Sequence, residues 1–374
     1  VAKSTIQDLA DYGQSVWLDY ISRSLLESGK LQEFINRGLR GMTSNPSIFN
    51  QAIGSSRDYD ERIRGLKGQA RTIFDIYDAL TIGDIQQAAA MFRPVYEKTS
   101  GQDGYVSLEI NPQLARDSEA SIKEGRRLFE AVGAPNVMIK VPATDQGYTV
   151  ITELIASGIP VNATLIFSLE QYRCTARAYF EGLRRMAERG GDISSVRSVA
   201  SVFISRVDSR VDAMLNQRLE QGRLSPQEAE GLMGRAAVAN AGRIFEAFQQ
   251  LHDEPIFADL AGQGASVQRV LWASTSTKNP RYSDIKYVQE LIAAPTVNTL
   301  PEKTLLAFLD HGEVISAEDR IKDYAGVLRD LDANGIAIDE VCACLLEEGL
   351  EAFERAFDEL FQSLERKARE VSVV

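Results

Sequence analysis

Cysteine and histidine are both scarce in this chain, which holds three cysteines and two histidines in 374 residues. A sparse, odd set of thiols argues against a disulfide framework and fits a reducing compartment, so a cytoplasmic location is expected. The two histidines, His252 and His311, lie far apart in sequence. They rule out a histidine-rich metal centre and leave few candidate bases for a Ser-His-Asp triad. No apolar run approaches the ~20 residues that span a bilayer. Val1 to Gly13 shows no basic start followed by an apolar stretch, so no secretory signal is expected. A basic excess is missing too: 41 Lys and Arg against 53 Asp and Glu give a net charge of -12. That disfavours general affinity for nucleic acid or anionic membrane. A small anionic substrate stays admissible, because a local cationic pocket can sit on an acidic protein.

What is present is a globular balance, 44% hydrophobic and 25% charged, with length enough for a closed core without staples. That length allows two or three average domains, or one large barrel with extensions. Short β-rich runs recur between helical stretches: Ser15 to Tyr20, Leu39 to Thr43, Tyr105 to Ile110, Val137 to Pro142, Val161 to Phe167, Ser198 to Ile204, Arg269 to Ser274 and Thr296 to Leu300. Between Ser168 and Met186, the residues Tyr172, Ala176, Tyr179 and Leu183 recur at threes and fours, the period of an amphipathic helix. Ser168 with Gln171 three residues on reads as its capping box.

Alternating strand and helix imply a mostly parallel sheet with right-handed crossovers. Eight runs predict a closed (β/α)8 barrel, an α/β fold of the TIM type. An open doubly wound sheet is the structural competitor, and periodicity does not decide between them. Asn45-Pro46, Asn111-Pro112 and Asn279-Pro280 each follow a strand. Asn suits an N-cap and Pro the first helical position, so these read as strand-to-helix loops on the active face of a barrel. From Glu302 onward no strong strand signal remains. A last helix is expected from about Ile338 to Arg369, striped by Leu346, Leu350, Phe353, Phe357, Leu360 and Leu364. The stripe reads as core packing or a subunit contact, which leaves room for a homo-oligomer. No Pro/Gly/Ser linker divides this region off, so residues 1–374 are expected to form one domain, with residues 302–374 packed on the barrel as helices.

Side chains alternate along a strand. If Val137, Ile139 and Val141 face the outer helices, Lys140 points into the barrel. The same parity sets Asp19, Glu109, Asn162, Thr164, Ser201 and Phe203 against aliphatic neighbours, and Thr43 and Asn45 close the second strand. Inward ionisable groups are costly unless paired or hydrated, so a shared parity near strand ends points to a catalytic cluster. A lysine there has a specific use. An ammonium titrating near ~10.4 is not nucleophilic at neutral pH, and lowering that to about 7–8 takes roughly 3–5 kcal/mol. The neutral amine then attacks a carbonyl, and the resulting protonated imine draws electrons from the neighbouring carbon–carbon bond. The plain alternative for Lys140 is a side chain snorkelling to water from a strand end.

These residues resemble the transaldolase family. The stretches are Trp17-Leu18-Asp19, Thr43-Ser44-Asn45-Pro46-Ser47, Ser107-Leu108-Glu109, Ile139-Lys140-Val141-Pro142-Ala143-Thr144, Asn162-Ala163-Thr164-Leu165-Ile166-Phe167-Ser168 and Ser201-Val202-Phe203-Ile204-Ser205-Arg206. They follow the family's order at the ends of successive strands, from about residue 10 to residue 300. The length and Trp272-Ala273-Ser274-Thr275 are similar to the longer bacterial type.

The resemblance implies a (β/α)8 barrel that transfers a dihydroxyacetone unit. The donor would be sedoheptulose 7-phosphate or fructose 6-phosphate, and the acceptor glyceraldehyde 3-phosphate or erythrose 4-phosphate. This is a step of the non-oxidative pentose phosphate pathway, with sugar phosphates as partners and no metal or organic cofactor. By that resemblance Lys140 is the Schiff-base lysine. Asp19 takes the donor hydroxyl proton, and Glu109 is the acid/base that works through a water, with Thr164 as its hydrogen-bonding partner. Asn45 and Asn162 hold substrate hydroxyls with Thr43 beside them. Ser201 and Arg206 lie near the phosphate, and Phe203 lines the site. Shorter members carry a second phosphate-binding arginine after strand seven, where this chain has Ser274-Thr275-Ser276-Thr277-Lys278-Asn279-Pro280. Lys278 is the expected substitute, supplying charge without a two-pronged fork, and Arg281 is the competing choice. Cys174, Cys342 and Cys344 are expected to be packing residues. A related aldolase that releases free dihydroxyacetone, or a silent sugar-phosphate-binding barrel, is the alternative.

Overall fold

The computed structural model describes residues 4–66, 72–317 and 324–371. Parts of the expected C-terminal region, 318–323 and 372–374, lie outside the described residues.

Eight strands form within a residue or two of the expected runs: β1 Gln14–Asp19, β2 Gly41–Thr43, β3 Val106–Glu109, β4 Val137–Pro142, β5 Val161–Ile166, β6 Ser198–Phe203, β7 Arg269–Ala273 and β8 Thr296–Leu300. Each runs parallel to the next, and β1 pairs with β8 from Gln14↔Thr296 to Leu18↔Leu300. The sheet therefore closes on itself in chain order, which excludes the open doubly wound alternative. The fold is a (β/α)8 barrel with added C-terminal helices. Helices Ser118–Val132 and Asp145–Ala156 cover β4 from outside, where Val137, Ile139 and Val141 are fully buried. The ladder of β2 starts later than expected, at Gly41. A Cβ there would come within 2.6 Å of the Trp17 indole, so only glycine lets β2 lie against that ring.

Regular alternation fails once. The β5–β6 register shifts between Ala163 and Ile166, and Leu165 takes φ +59°, a conformation that costs a leucine roughly 1–2 kcal/mol. Gln171 offsets that strain. Its Nε2 donates to Leu165 O at 3.0 Å and Ala143 O at 2.9 Å, while its Oε1 accepts from Phe167 N at 3.0 Å and Ser168 N at 3.1 Å. The capping box at Ser168 thus starts the helix Leu169–Glu188 and also fixes the strand end that presents Thr164.

The first two Asn-Pro pairs behave as expected. Asn45 Oδ1 accepts from Ile48 N at 3.0 Å, capping the helix Pro46–Ser55, and Asn111 Oδ1 accepts from Gln113 N at 2.9 Å, capping a short 3-10 turn. The third departs from expectation. Asn279 Oδ1 accepts from Arg281 N at 3.0 Å, but no helix follows until Lys286–Gln289. An Asx turn has taken the place of a cap.

The last helix, Ile338–Glu370, spans 33 residues. It crosses the C-terminal face of the barrel, touching helix Pro46–Ser55, helix Ser205–Glu220 and β5. Gly349 seats it, since a Cβ there would lie 3.1 Å from the Leu165 side chain. Leu350, Phe353, Phe357 and Leu360 join the same buried cluster as Leu18 of β1 and Ile139 of β4. On that continuity we propose that the whole chain is one domain. At the opposite, N-terminal end, the barrel is plugged by Arg269, which pairs with Asp103 at 2.9 Å and donates to Ser15 Oγ at 2.9 Å and Gln102 O at 2.6 Å.

Candidate active site

The parallel ladders put the C-terminal ends of the strands at one mouth. There a cavity of about 250 Å³ is lined by Asp19 of β1, Thr43 of β2, Asn45 beyond it, Lys140 of β4, Thr164 of β5, Ser201 and Phe203 of β6, Arg206, and Lys278 after β7. The expected residues outside that lining are Glu109 and Asn162. Glu109 stands behind Lys140, its direct partner in the β3–β4 register. Asn162, the register partner of Lys140 on β5, is fully buried. Its Nδ2 donates to Ser107 Oγ at 3.0 Å and its Oδ1 accepts from Ser201 Oγ at 2.6 Å. These bonds brace the floor of the site and use one of the two N–H donors and one of the two oxygen lone pairs of the amide.

Lys140 is 5% exposed. That excludes the snorkelling alternative. Its Nζ donates to Ser44 O at 3.0 Å and stands 3.5 Å from Glu109 Oε2. Glu109, 7% exposed, has its carboxyl pushed up to about 7, by burial first and by Asp19 to a smaller degree, with Lys140 opposing. At 3.5 Å the approach to Lys140 is at the outer limit of a hydrogen bond. Glu109 Oε2 and Thr164 Oγ1 are both buried and make no hydrogen bond among the described residues.

Asp19 keeps some exposure toward the cavity, yet protein encloses it on every other side. Burial raises its carboxyl above the ordinary range, against the pull of Lys140, the Thr43 hydrogen bond and Lys278. Thr43 Oγ1 donates to Asp19 Oδ1 at 2.7 Å and lies 2.7 Å from Thr299 Oγ1. Two enclosed acids in unlike surroundings flank one amine, which is the arrangement acid–base chemistry in separate steps requires.

The outer rim is cationic. The Arg206 guanidinium lies 5.5 Å over the Phe203 ring, which itself packs 5.4 Å from Phe167. Arg206 does not pair with Asp208 or Asp212, whose oxygens accept from Tyr287, Ala237 N, Tyr282 and Gly234 N. Lys278 Nζ accompanies it on the rim, donating to Ser276 Oγ at 2.8 Å. Arg281, the competing choice, borders a separate depression with Tyr282 and Asp212.

Sequence reasoning missed several lining residues. The chief one is Phe353, assigned to core packing or a subunit contact. It is 6% exposed, and its ring centroid stands 5.9 Å from Lys140 Nζ. Periodicity marks Phe353 as apolar and inward but says nothing of what lies beneath the helix. Thr299, Ser274 and Ser276 also line the mouth. Strand-end position could have found Thr299, since β8 closes beside β1. Among the thiols Cys342 is buried and Cys344 exposed, so Cys344 is not a packing residue.

Residues 16–364 match the family described as Transaldolase/Fructose-6-phosphate aldolase. The chain is 42% identical over 374 residues to a protein of Trichodesmium erythraeum named Transaldolase, covering 98% of each chain. It is 45% identical over 363 residues to Transaldolase 1 of Streptomyces coelicolor, covering 96% of this chain and 93% of the relative. A Transaldolase of Saccharopolyspora erythraea is 43% identical over 366 residues, covering 96% and 97%.

Proposed function

The chain belongs to the transaldolase/fructose-6-phosphate aldolase family, and we propose that its chemistry runs through an imine on Lys140. Its activity is that of a transaldolase, a transferase that moves a dihydroxyacetone unit from a ketose phosphate to an aldose phosphate.

The neutral amine of Lys140 attacks the donor's C2 carbonyl to give a carbinolamine. Glu109 receives the proton that frees the amine, and as an acid held near 7 it returns one so that the C2 hydroxyl leaves as water. Glu109 Oε2 and Thr164 Oγ1, neither hydrogen-bonded among the described residues, are placed to bind that water. Asp19 then takes the proton of the C4 hydroxyl. The C3–C4 bond breaks, its electron pair moves into the iminium, and the aldose leaves. The enamine left on Lys140 attacks the acceptor aldehyde, Asp19 returns its proton, and hydrolysis through Glu109 frees the product. The iminium is the electron sink, so the steps need no metal or organic cofactor. Asn45 and Thr43 orient hydroxyls, amides and hydroxyls being both donors and acceptors. Arg206 and Lys278 hold the phosphate at the rim, with Ser201 at the inner wall.

The observation that carries this reading is the enclosed pair itself, an amine and an acid 3.5 Å apart. Fructose 6-phosphate with borohydride should leave a reduced adduct on Lys140, mapped by peptide mass spectrometry, and erythrose 4-phosphate should receive the three-carbon unit. An adduct elsewhere, with Lys140→Ala still active, would overturn it. Release of free dihydroxyacetone regardless of acceptor would mark the aldolase branch of the family instead. The free thiols favour a reducing compartment, and we assign the reaction to the cytoplasm on that ground. No helix among the described residues is long and apolar enough to cross a membrane.

A further inference from the structure

Two buried carboxylates stand outside the reacting centre. Asp208 and Asp212 are 1% and 7% exposed. They sit one turn apart on the helix Ser205–Glu220, whose first turn carries Arg206. Neither forms an ion pair among the described residues. Burying an unpaired carboxylate is expensive unless its oxygens are well bonded, and here all four oxygens are. Asp208 Oδ1 accepts from Ala237 N at 2.7 Å and Oδ2 from Tyr287 Oη at 2.8 Å. Asp212 Oδ1 accepts from Gly234 N at 2.8 Å and Oδ2 from Tyr282 Oη at 2.6 Å.

Tyr282 belongs to the loop after β7, and Tyr287 to the short helix Lys286–Gln289 that follows it. Residues 274–285 of that loop contain no helix or strand, and they include Lys278. Among the described residues the side-chain bond of Lys278 runs to Ser276, inside the same loop. The start of that loop is tied to the residue beside Arg206 by Ser274 and Ser205, 3.1 Å apart, and Thr277 donates to Ser283 O at 2.7 Å, so the tyrosines act on its far end. The Tyr282–Asp212 bond, at 2.6 Å, has the length of a charge-assisted bond, and the Tyr287–Asp208 bond, at 2.8 Å, that of an ordinary one. They run from the loop and the short helix after it to the helix Ser205–Glu220, whose second residue is Arg206. Gly234, at φ +69°, lets the Tyr282 ring approach, because a Cβ there would come within 2.7 Å of it.

We propose that the Tyr282–Asp212 and Tyr287–Asp208 bonds are a positioning device that sets the spacing of Lys278 and Arg206, and thereby the preference for phosphorylated over unphosphorylated substrates. The inference rests on the assignment of those two cations to the substrate phosphate. The tyrosines touch no substrate. They act through the loop.

The test is Tyr282→Phe, which removes one hydroxyl, with Tyr287→Phe as a second arm. The readouts are KM and kcat with fructose 6-phosphate, the same with unphosphorylated fructose, and competitive inhibition by inorganic phosphate. A hydrogen bond to a charged group contributes enough that KM for the phosphorylated donor and Ki for phosphate should each rise about fivefold or more. Values of kcat, and KM for fructose, should stay within about twofold. A parallel rise for both sugars, or unchanged phosphate inhibition in both variants, overturns the proposal. Arg206→Ala and Lys278→Ala separate the two levels. If these weaken phosphate inhibition while the tyrosine variants do not, the device alone fails. If they leave inhibition unchanged, the phosphate assignment fails and the device with it.

Discussion

Replacing Glu109 by Gln sets two opposed effects against each other, and their sizes decide the outcome. The carboxylate is 3.5 Å from Lys140 Nζ, so at an effective dielectric near 20 their attraction is about 5 kcal/mol before desolvation is counted. Glutamine keeps the shape and removes the charge. That loss makes the ammonium harder to hold and favours the neutral, nucleophilic amine. If Glu109 only stabilised the lysine's charge, Glu109→Gln would form the imine as fast as the parent or faster. If Glu109 moves protons, its loss should slow imine formation by about 10²–10⁴-fold, the usual contribution of a placed acid–base group. We expect the second outcome. The assay mixes enzyme and fructose 6-phosphate in a single turnover, quenches with borohydride over time, and counts the Lys140 adduct by mass spectrometry. The pH dependence adds a sign. The acid form that expels water is present below about 7 and lost above it, so the parent's dehydration rate should fall as pH rises through that value. The variant should lack that limb. Asp19→Asn is the contrast: its adduct should form at the parent's rate while carbon–carbon cleavage slows. Equal or faster trapping in Glu109→Gln, with the high-pH limb retained, would refute the division of roles.

Phe353→Ala should remove the apolar roof over Lys140. The cost is about 3–5 kcal/mol in unfolding free energy for a buried phenylalanine, read by urea titration. Amine-selective reagents should modify Lys140 faster in this variant, and an unchanged rate would show that the ring does not shield it. His252 predicts an acid-sensitive contribution to stability. Its ring packs against Phe180, Phe248 and Phe257 at 5.2, 4.6 and 4.6 Å, its Nε2 accepts from Gln268 N at 3.2 Å, and burial lowers it to about 4. The folded value is below the unfolded ~6.5, so the neutral ring's contribution is complete above that pH and lost as pH falls toward about 4, up to about 3 kcal/mol. His252→Gln, able to accept the same bond at any pH, should narrow its stability deficit against the parent between pH 7.5 and 4.5. A constant gap would show that the imidazole does not titrate across folding.

Strand parity made the barrel and much of its mouth legible, because a period of two maps each position to one side of a sheet. It led from Lys140 to Asp19, Glu109, Thr164 and Ser201 without knowledge of the tertiary structure. It could not tell a lining position from a supporting one. Asn162 has the same parity as Thr164, yet it stands outside the cavity lining with bonds to Ser107 and Ser201, while Thr164 reaches the cavity. Phe353 was hidden for a different reason. A helix's apolar stripe is equally suited to a core and to a substrate cavity, and the helix that carries Phe353 reaches β5 across some two hundred residues of chain. The choice between Lys278 and Arg281 also needed coordinates, since the Asx turn at Asn279 sends the two side chains to different depressions.

Inward-pointing charge occurs at both ends of this barrel, so parity by itself does not mark a site. The distinction lies in how the charges are satisfied. At the N-terminal end Arg269 closes on Asp103 at 2.9 Å, with Ser15 and the Gln102 carbonyl filling further positions of the guanidinium. That network leaves the guanidinium closely bonded on several sides, as a structural plug should be. At the C-terminal end the corresponding pair is held at 3.5 Å, the lysine's shorter bond goes to a backbone carbonyl, and the acid's nearer oxygen has no hydrogen bond. An ion pair kept slightly open gives up Coulomb energy, but it leaves the acid's oxygen room for a water or a substrate proton. Closing that gap would strengthen the fold and disable the chemistry. We therefore propose that the looseness of one pair beside the tightness of the other separates catalytic from structural charge in this molecule.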